Sequence, residues 1–205
     1  MPSAIVHLKA AFDLAERLKV QNLGQFYLGA VSPDAVNLDG FAGQEVRYPA
    51  HIRTLDYGEW KQNARDFYKA NEKSFADDPD FLKGFLLHIF TDIYWDELAQ
   101  PILFSALKAQ GAKDEQLREL KWQELYRFNS YLQGEWLYND VLPKLREAKA
   151  LPITTVSGEL LDKYRQHLCD DYMDKKSIDE KPLICNESMI ERVEQACTEE
   201  FDKLC

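Results

Sequence analysis

The stretch GFLLHIFTDIYWDELA, residues 84–99, decides the fold class of this chain. It follows Asp78-Pro79, a typical helix start, and we expect the helix to run until Pro101 interrupts it. Its apolar run, Phe85 to Trp95, is shorter than the roughly 20 residues that a membrane-spanning helix needs, and it contains His88 and Asp92. The stretch therefore predicts a buried helix of a globular protein and no membrane span.

The rest of the 205-residue chain has the same helical pattern. Apolar residues recur at helical spacing in most segments, except in a loop predicted from Asn37 to Pro49, and no alternating strand pattern lasts for more than a few residues. A chain of this length buries roughly 70% of its unfolded surface, which is enough for one core. We predict an all-α fold, a single domain over 1–205 with six to eight helices. Its metal-site core is expected in 1–150, and an acidic helical extension in 151–205.

The charge balance excludes some classes of partner. The chain has 35 acidic and 25 basic residues, a net charge of −10. A surface this acidic repels polyanions, which disfavours nucleic acid and anionic membranes as partners. A small anionic substrate is compatible with the charge, because a bound dication dominates its local field.

The start of the sequence favours a soluble cytoplasmic protein, and a cytoplasmic protein keeps its cysteines reduced. The first residues, MPSAIVHLKAAFDLAERLKV, mix charges with apolar residues and lack the apolar core of a signal peptide. The cysteines contain no CxxC pair and no zinc-finger spacing, so we expect reduced cysteines that pack between helices. They all lie near the C-terminus: Cys169, Cys185, Cys197 and Cys205.

Histidines are scarce, so their positions are informative. His88 and Asp92 are four residues apart on a predicted helix, a spacing that places both side chains on one face. They could bind one metal ion together, or form a buried hydrogen bond that serves structure only. Asp34 follows Ser32-Pro33, where a carboxylate is also favoured by the helix dipole alone. His51, in a predicted loop, could simply be solvated. His7, in the first helix, could pack at a helix interface.

Taken together, these residues indicate a metal site more specifically than any one of them does alone. They occur in the order His7, Asp34, His51, His88-x3-Asp92, within the segments MPSAIVHL, FYLGAVSPDAV, YPAHIRT and GFLLHIFTDIYWDE. Over about its first 100 residues the chain resembles the zinc-dependent phospholipases C and the single-strand-specific nucleases that share their all-helical fold, and above all their small, leaderless bacterial branch. The resemblance implies that Asp34, His51, His88 and Asp92 bind one zinc ion. It also implies that His7 helps to bind a second, with Asp92 as the bridge.

The sequence departs from that family in two places. Family enzymes begin with a tryptophan whose amino group and carbonyl bind zinc, whereas this chain begins with Met1-Pro2. The family's further metal needs a histidine and an H-x3-E pair. After Asp92 the only histidine is His167, and it has no glutamate four residues later. We therefore expect one metal ion, with two as the alternative. Imidazoles and carboxylates without a thiolate suit Zn²⁺, and Fe²⁺ or Mn²⁺ nearly as well.

The predicted activity is hydrolysis of a small anionic phosphoester by a metal-activated water. Asp34 or Asp92 would accept the proton, and Arg53 would clamp the phosphate, unless Arg53 is only a solvated loop cation. The alternative is a metal-stabilised helical protein without phosphodiesterase activity that acts as a binding or interaction module. A helical phosphohydrolase of the HD type is disfavoured, because the sequence contains no His-Asp dipeptide. The sequence names neither the substrate nor the oligomeric state.

Overall fold

The chain folds into helices that pack around one core. The computed structural model describes residues 2–172 and 180–204. Short 3₁₀ or π segments adjoin several of the α-helices. The α-helices are α1 (Ala4–Leu14), α2 (Leu23–Val31), α3 (Gln44–Ala50), α4 (Tyr57–Asn71), α5 (Pro79–Tyr94), α6 (Gln100–Ala109), α7 (Leu117–Leu132), α8 (Leu142–Glu147), α9 (Gly158–His167) and α10 (Glu187–Asp202).

The predicted all-α, single-domain fold is confirmed. Counted as uninterrupted helical runs, the described residues contain nine helices and no strand. This is one helix more than the six to eight predicted. The additional helix is α3, which lies where the sequence predicted a loop from Asn37 to Pro49. Gly43 precedes its first turn, and the proline comes only at its end, where the helix is about to stop. No helix in the described part of the chain is both long and apolar enough to cross a membrane.

The helix after Asp78 does not stop at Pro101. Proline has no N–H and its ring clashes with the carbonyl four residues earlier. The chain avoids this clash with a π-helical segment, Trp95–Ala99, in which the Gln100 N–H donates to the carbonyl oxygen of Trp95. The wider turn lets the run continue directly from α5 into α6. The expectation that Pro101 interrupts the helix was therefore wrong.

Helices α2 and α5 cross closely at two glycines. A Cβ added to Gly84 of α5 would overlap the carbonyl oxygen of Phe26 in α2, and a Cβ added to Gly29 of α2 would overlap that of Phe81 in α5. Only glycine lets the two backbones approach to this distance. The crossing brings the His88 end of α5 against the C-terminal end of α2.

The last helix packs on the same core. Met189, Val193 and Cys197 of α10 are buried, and Cys197 lies near Thr91 of α5. Cys169, Cys185 and Cys197 are free thiols in the interior, as predicted, whereas Cys205 lies outside the described residues. The division into a core of 1–150 and an extension of 151–205 stays a prediction.

Candidate metal centre

His88 is oriented by the backbone of a neighbouring helix. Its side chain is fully buried, and its Nδ1 lies 2.8 Å from the carbonyl oxygen of Ala30 in α2. A carbonyl can only accept, so Nδ1 carries the proton and Nε2 keeps its lone pair. Nε2 is buried and has no hydrogen-bond partner among the described residues. The close α2–α5 crossing therefore presents an imidazole lone pair to the interior.

His51 is held in the same way at the end of α3. Its Nδ1 donates to the carbonyl oxygen of Arg47 at 2.9 Å, and its own carbonyl oxygen accepts from Trp60 Nε1 at 2.9 Å. The next residue, Ile52, has a φ of 45°, a left-handed conformation that β-branched residues rarely adopt. Such strain is common where a fold holds a functional side chain in place. His51 Nε2 is also buried and without a hydrogen-bond partner.

The two aspartates lie opposite these imidazoles. Asp34 is in a 3₁₀ turn (Ser32–Asn37) that continues directly from α2. It accepts a hydrogen bond from Asn37 Nδ2 at 3.1 Å, and its Oδ1 lies 3.4 Å from His51 Nε2. Asp92 is fully buried on α5. Its Oδ2 lies 3.7 Å from His51 Nε2 and 3.8 Å from His88 Nε2.

His7 of α1 completes the cluster. Its Nε2 lies 3.4 Å from Asp92 Oδ1, and its ring stacks on that of His88 with centroids 3.8 Å apart. The structure thus brings together all the residues that the sequence predicted as metal ligands: His7, Asp34, His51, His88 and Asp92. Their role as ligands stays a prediction.

The spacing of these atoms fits a shared cation better than direct hydrogen bonds. Both oxygens of Asp92 and the Nε2 atoms of all three histidines are buried without a hydrogen-bond partner among the described residues. Leaving so many polar groups unpaired is costly. Bonds of ~2.0–2.1 Å to a tetrahedral zinc ion place two ligand atoms about 3.3–3.4 Å apart. Two sets have ligand atoms within 4.8 Å of one another and could hold a metal: His7, His88 and Asp92, and Asp34, His51 and His88.

The protonation states also suit a cation. Burial, and next the proximity of His7, lower the pKa of His88 to about 3, so this imidazole is neutral at pH 7. Burial alone would raise the pKa values of both aspartates, but the contacts of Asp34 with His51 and of Asp92 with His7 outweigh it and lower them. The centre therefore combines ionised carboxylates with a neutral imidazole, the forms that bind metals.

Arg53 is engaged away from this cluster. Its Nη2 donates to Asp96 Oδ2 at 2.9 Å, and its guanidinium lies 4.6 Å from the ring centroid of Trp60. A solvated loop cation would have neither a buried carboxylate partner nor a stacked ring. Its predicted role as a phosphate clamp stays a prediction.

A cavity of about 650 Å³ leads to the cluster, and Asp34 is the predicted ligand that lines it. Sequence reasoning did not find the other lining residues. Among them, His167 was considered only as a ligand of a further metal and was set aside, because no glutamate follows it four residues later. Nothing in the local sequence distinguishes the rest from ordinary packing residues. The lining includes Phe41, Arg118, Trp122, Tyr126, Asn129 and Tyr164.

Comparisons of the chain with protein-family models, curated proteins and solved structures found no match. The interpretation of the centre therefore rests on its geometry.

Proposed function

We propose that this protein is a metal-dependent hydrolase of phosphoric esters, similar to the zinc-dependent phospholipases C. One observation carries the proposal: the Nε2 atoms of His7, His51 and His88 and both oxygens of Asp92 are buried together with no hydrogen-bond partner among the described residues. A divalent cation satisfies such a donor set at once, and Zn²⁺ suits it best, with Fe²⁺ and Mn²⁺ as alternatives.

The donor set accounts for one ion more readily than for two. Asp34, His51 and His88 form one candidate set, and His88 also belongs to the other, with His7 and Asp92. Because Nδ1 of His88 donates to a backbone carbonyl, only its Nε2 can bind a metal. A second ion would therefore depend on His7 and Asp92 alone among the predicted ligands.

A bound divalent cation would polarise a phosphoryl oxygen and supply a water-derived nucleophile at neutral pH. Asp34 is the better placed of the two aspartates to accept the proton, because it lines the cavity whereas Asp92 is fully buried. The lone-pair orientation of His51 and His88, set by the carbonyls of Arg47 and Ala30, keeps the imidazoles available as ligands throughout.

The cavity favours a small ester with an apolar or aromatic group. Trp122 and Tyr126 of α7 stack with ring centroids 6.2 Å apart along one wall. Arg118 provides a cation in the same lining. A phosphoryl group beside Asp34 would leave the rest of the substrate against these rings, where burial of apolar area stabilises binding.

One observation favours the alternative of a metal-stabilised protein without esterase activity. His88 and Asp92 have no exposed surface, and the other ligands except Asp34 are nearly as buried. A closed, fully coordinated site serves structure, whereas catalysis requires an open coordination position. Activity is therefore the deciding property.

The test combines metal content with turnover. We expect purified protein without a histidine tag to contain at least one zinc, iron or manganese ion per chain and to hydrolyse a chromogenic phosphodiester or phosphomonoester. His88→Ala should lose both the metal and the activity, and Glu16→Ala, at an exposed position of the chain, should keep both. Bound metal without turnover of any ester would support the structural alternative. Turnover that survives His88→Ala would overturn the proposal.

A further inference from the structure

A small basic cleft lies at Arg47 and Arg53, which flank the candidate ligand His51 in the sequence. It has a volume of about 210 Å³ and is lined by Arg47, Arg53 and Lys121. Asp96 is the only carboxylate among the described residues that line it. A local excess of positive charge is unexpected in a chain with a net charge of −10, and it requires an explanation.

Aromatic rings hold the three cations in place. The Arg47 guanidinium lies 4.0 Å from the ring centroid of Phe41, and Lys121 Nζ lies 5.0 Å from that of Trp122. Arg53 packs in the same way over Trp60. Stacking on an aromatic ring uses the flat face of a guanidinium and restricts its orientation, so the two arginines are preorganised.

Three cations and one carboxylate of the described chain line the cleft. Asp96 accepts a hydrogen bond from Arg53, and Lys121 donates to the side-chain oxygen of Gln100, a neutral partner, at 3.3 Å. Burial lowers the pKa of Lys121, and although Asp96 opposes this effect, the nearby arginines add to it. An anion in the cleft would relieve the repulsion among these cations.

Size and charge together select the ligand. Pockets for organic ligands usually measure ~300–1,000 Å³, so 210 Å³ suits a compact anion. We propose that the cleft formed by Arg47, Arg53 and Lys121 binds a phosphoryl-type dianion, either free phosphate or the phosphate group of a small molecule. This proposal does not depend on whether the histidine–aspartate centre hydrolyses esters.

The cleft adjoins the larger cavity. Phe41 and Trp122 line both spaces, and their rings meet edge to face with centroids 6.1 Å apart. An organic ligand whose phosphate occupies the cleft could therefore reach the cavity past this ring pair.

The test is a phosphate titration of the zinc-supplemented 205-residue chain, monitored by the NMR signals of the arginine Nε–H groups and the histidine rings. We expect saturable shifts of the Arg47 and Arg53 signals. Lys121→Gln should weaken binding about tenfold or more, since a hydrogen bond to a charged group contributes ~1.5–3 kcal/mol. Lys108→Gln, which removes an exposed lysine paired with Asp114, should bind as the wild type does.

Two results would overturn the proposal. One is a shift of the histidine signals alone, which would place the phosphate at the metal centre. The other is equal affinity in wild type and in the Lys121→Gln variant, with Arg47→Gln as a second variant should the first fail to fold. Phenylphosphonate, which cannot be hydrolysed as an ester, distinguishes the two ligand sources. Tighter binding than phosphate assigns the cleft to an organic phosphate, and equal or weaker binding assigns it to the free ion.

Discussion

His88 shows how a single residue becomes a candidate metal ligand. Its Nδ1–H bond to the Ala30 carbonyl determines the tautomer, and burial keeps the ring neutral. The ring is thereby held with its lone pair towards the two aspartates. Hydrogen bonds that orient a metal-binding side chain in this way usually contribute about 10–100-fold to metal affinity.

Asn37 offers a test of such a bond at the carboxylate side. Its Nδ2 donates to Asp34 Oδ1, so Asn37→Ala should let the Asp34 carboxylate rotate away from His51. We expect about 10–100-fold weaker zinc binding, measured by competition with a chelator. Asn139→Ala, at an exposed position outside the cavity lining, should leave the affinity unchanged. An unchanged affinity in Asn37→Ala would show that this bond does not orient a metal ligand.

The candidate site was predictable in part. The four-residue spacing of His88 and Asp92 follows from helix geometry alone. His7, Asp34 and His51 could be grouped with them only through the family resemblance, since nothing in their local sequence distinguishes ligands from packing residues. The partner of Arg53 was not predictable, because Asp96 is distant in sequence and reaches it through the π segment after α5.

Among the elements, α2 and α5 form the support of the centre. Gly29 and Gly84 permit their close contact, and that contact brings the Ala30 carbonyl to His88. The sequence predicted the helix at α5 correctly from its Asp78-Pro79 start and its helical pattern. It could not predict the close crossing, because a glycine inside a helix marks a close contact only when another helix packs against it.

Gly84→Ala tests the support directly. The added Cβ would overlap a backbone oxygen of α2, which cannot be relieved without separating the helices. We expect the free energy of unfolding to fall by about 1–3 kcal/mol or more in urea denaturation, together with weaker metal binding.

Gly58→Ala is the matched control. Gly58 is exposed on α4, and a Cβ there would approach only a side-chain oxygen of Asp56. This variant should be neutral or up to ~1 kcal/mol more stable, because alanine favours helices. If Gly84→Ala unfolds at the wild-type urea concentration, the close crossing is not required.

At the scale of the whole molecule, α10 is tied to the core by a buried charge. Glu200 accepts hydrogen bonds from Arg65 of α4 at 2.5 and 2.9 Å and from the Tyr94 hydroxyl of α5 at 2.7 Å. Burial alone would raise the pKa of Glu200, but hydrogen bonds from Lys203, Tyr94 and Arg65 outweigh it and hold the pKa at about 2. The all-α class was predictable from helical periodicity, whereas this ion pair, 135 residues apart in sequence, depends on the complete fold.

This carboxylate makes stability depend on pH. A pKa of about 2 in the folded protein lies below the ordinary value of 4.5, so the contribution is complete above that value and is lost as the pH falls towards 2. Glu200→Gln should cost about 3 kcal/mol at pH 7, since it leaves Arg65 without its buried partner. The difference from wild type should shrink as the pH falls.

The control for this prediction is Glu199→Gln, on the exposed side of the same helix. It should change stability by less than ~0.5 kcal/mol at any pH. Thermal unfolding between pH 7 and pH 3 measures all three proteins. A Glu200→Gln variant that loses stability with acid as steeply as wild type would contradict the assigned role.

The most direct test of the whole account is a crystal grown with zinc and measured at the zinc absorption edge. We predict an anomalous peak about 2.0–2.1 Å from His88 Nε2 and at bonding distance from Asp34 and His51, with any second peak between His7 and Asp92. Zinc-supplemented crystals in which these five side chains adopt the described positions with no anomalous peak among them would contradict it.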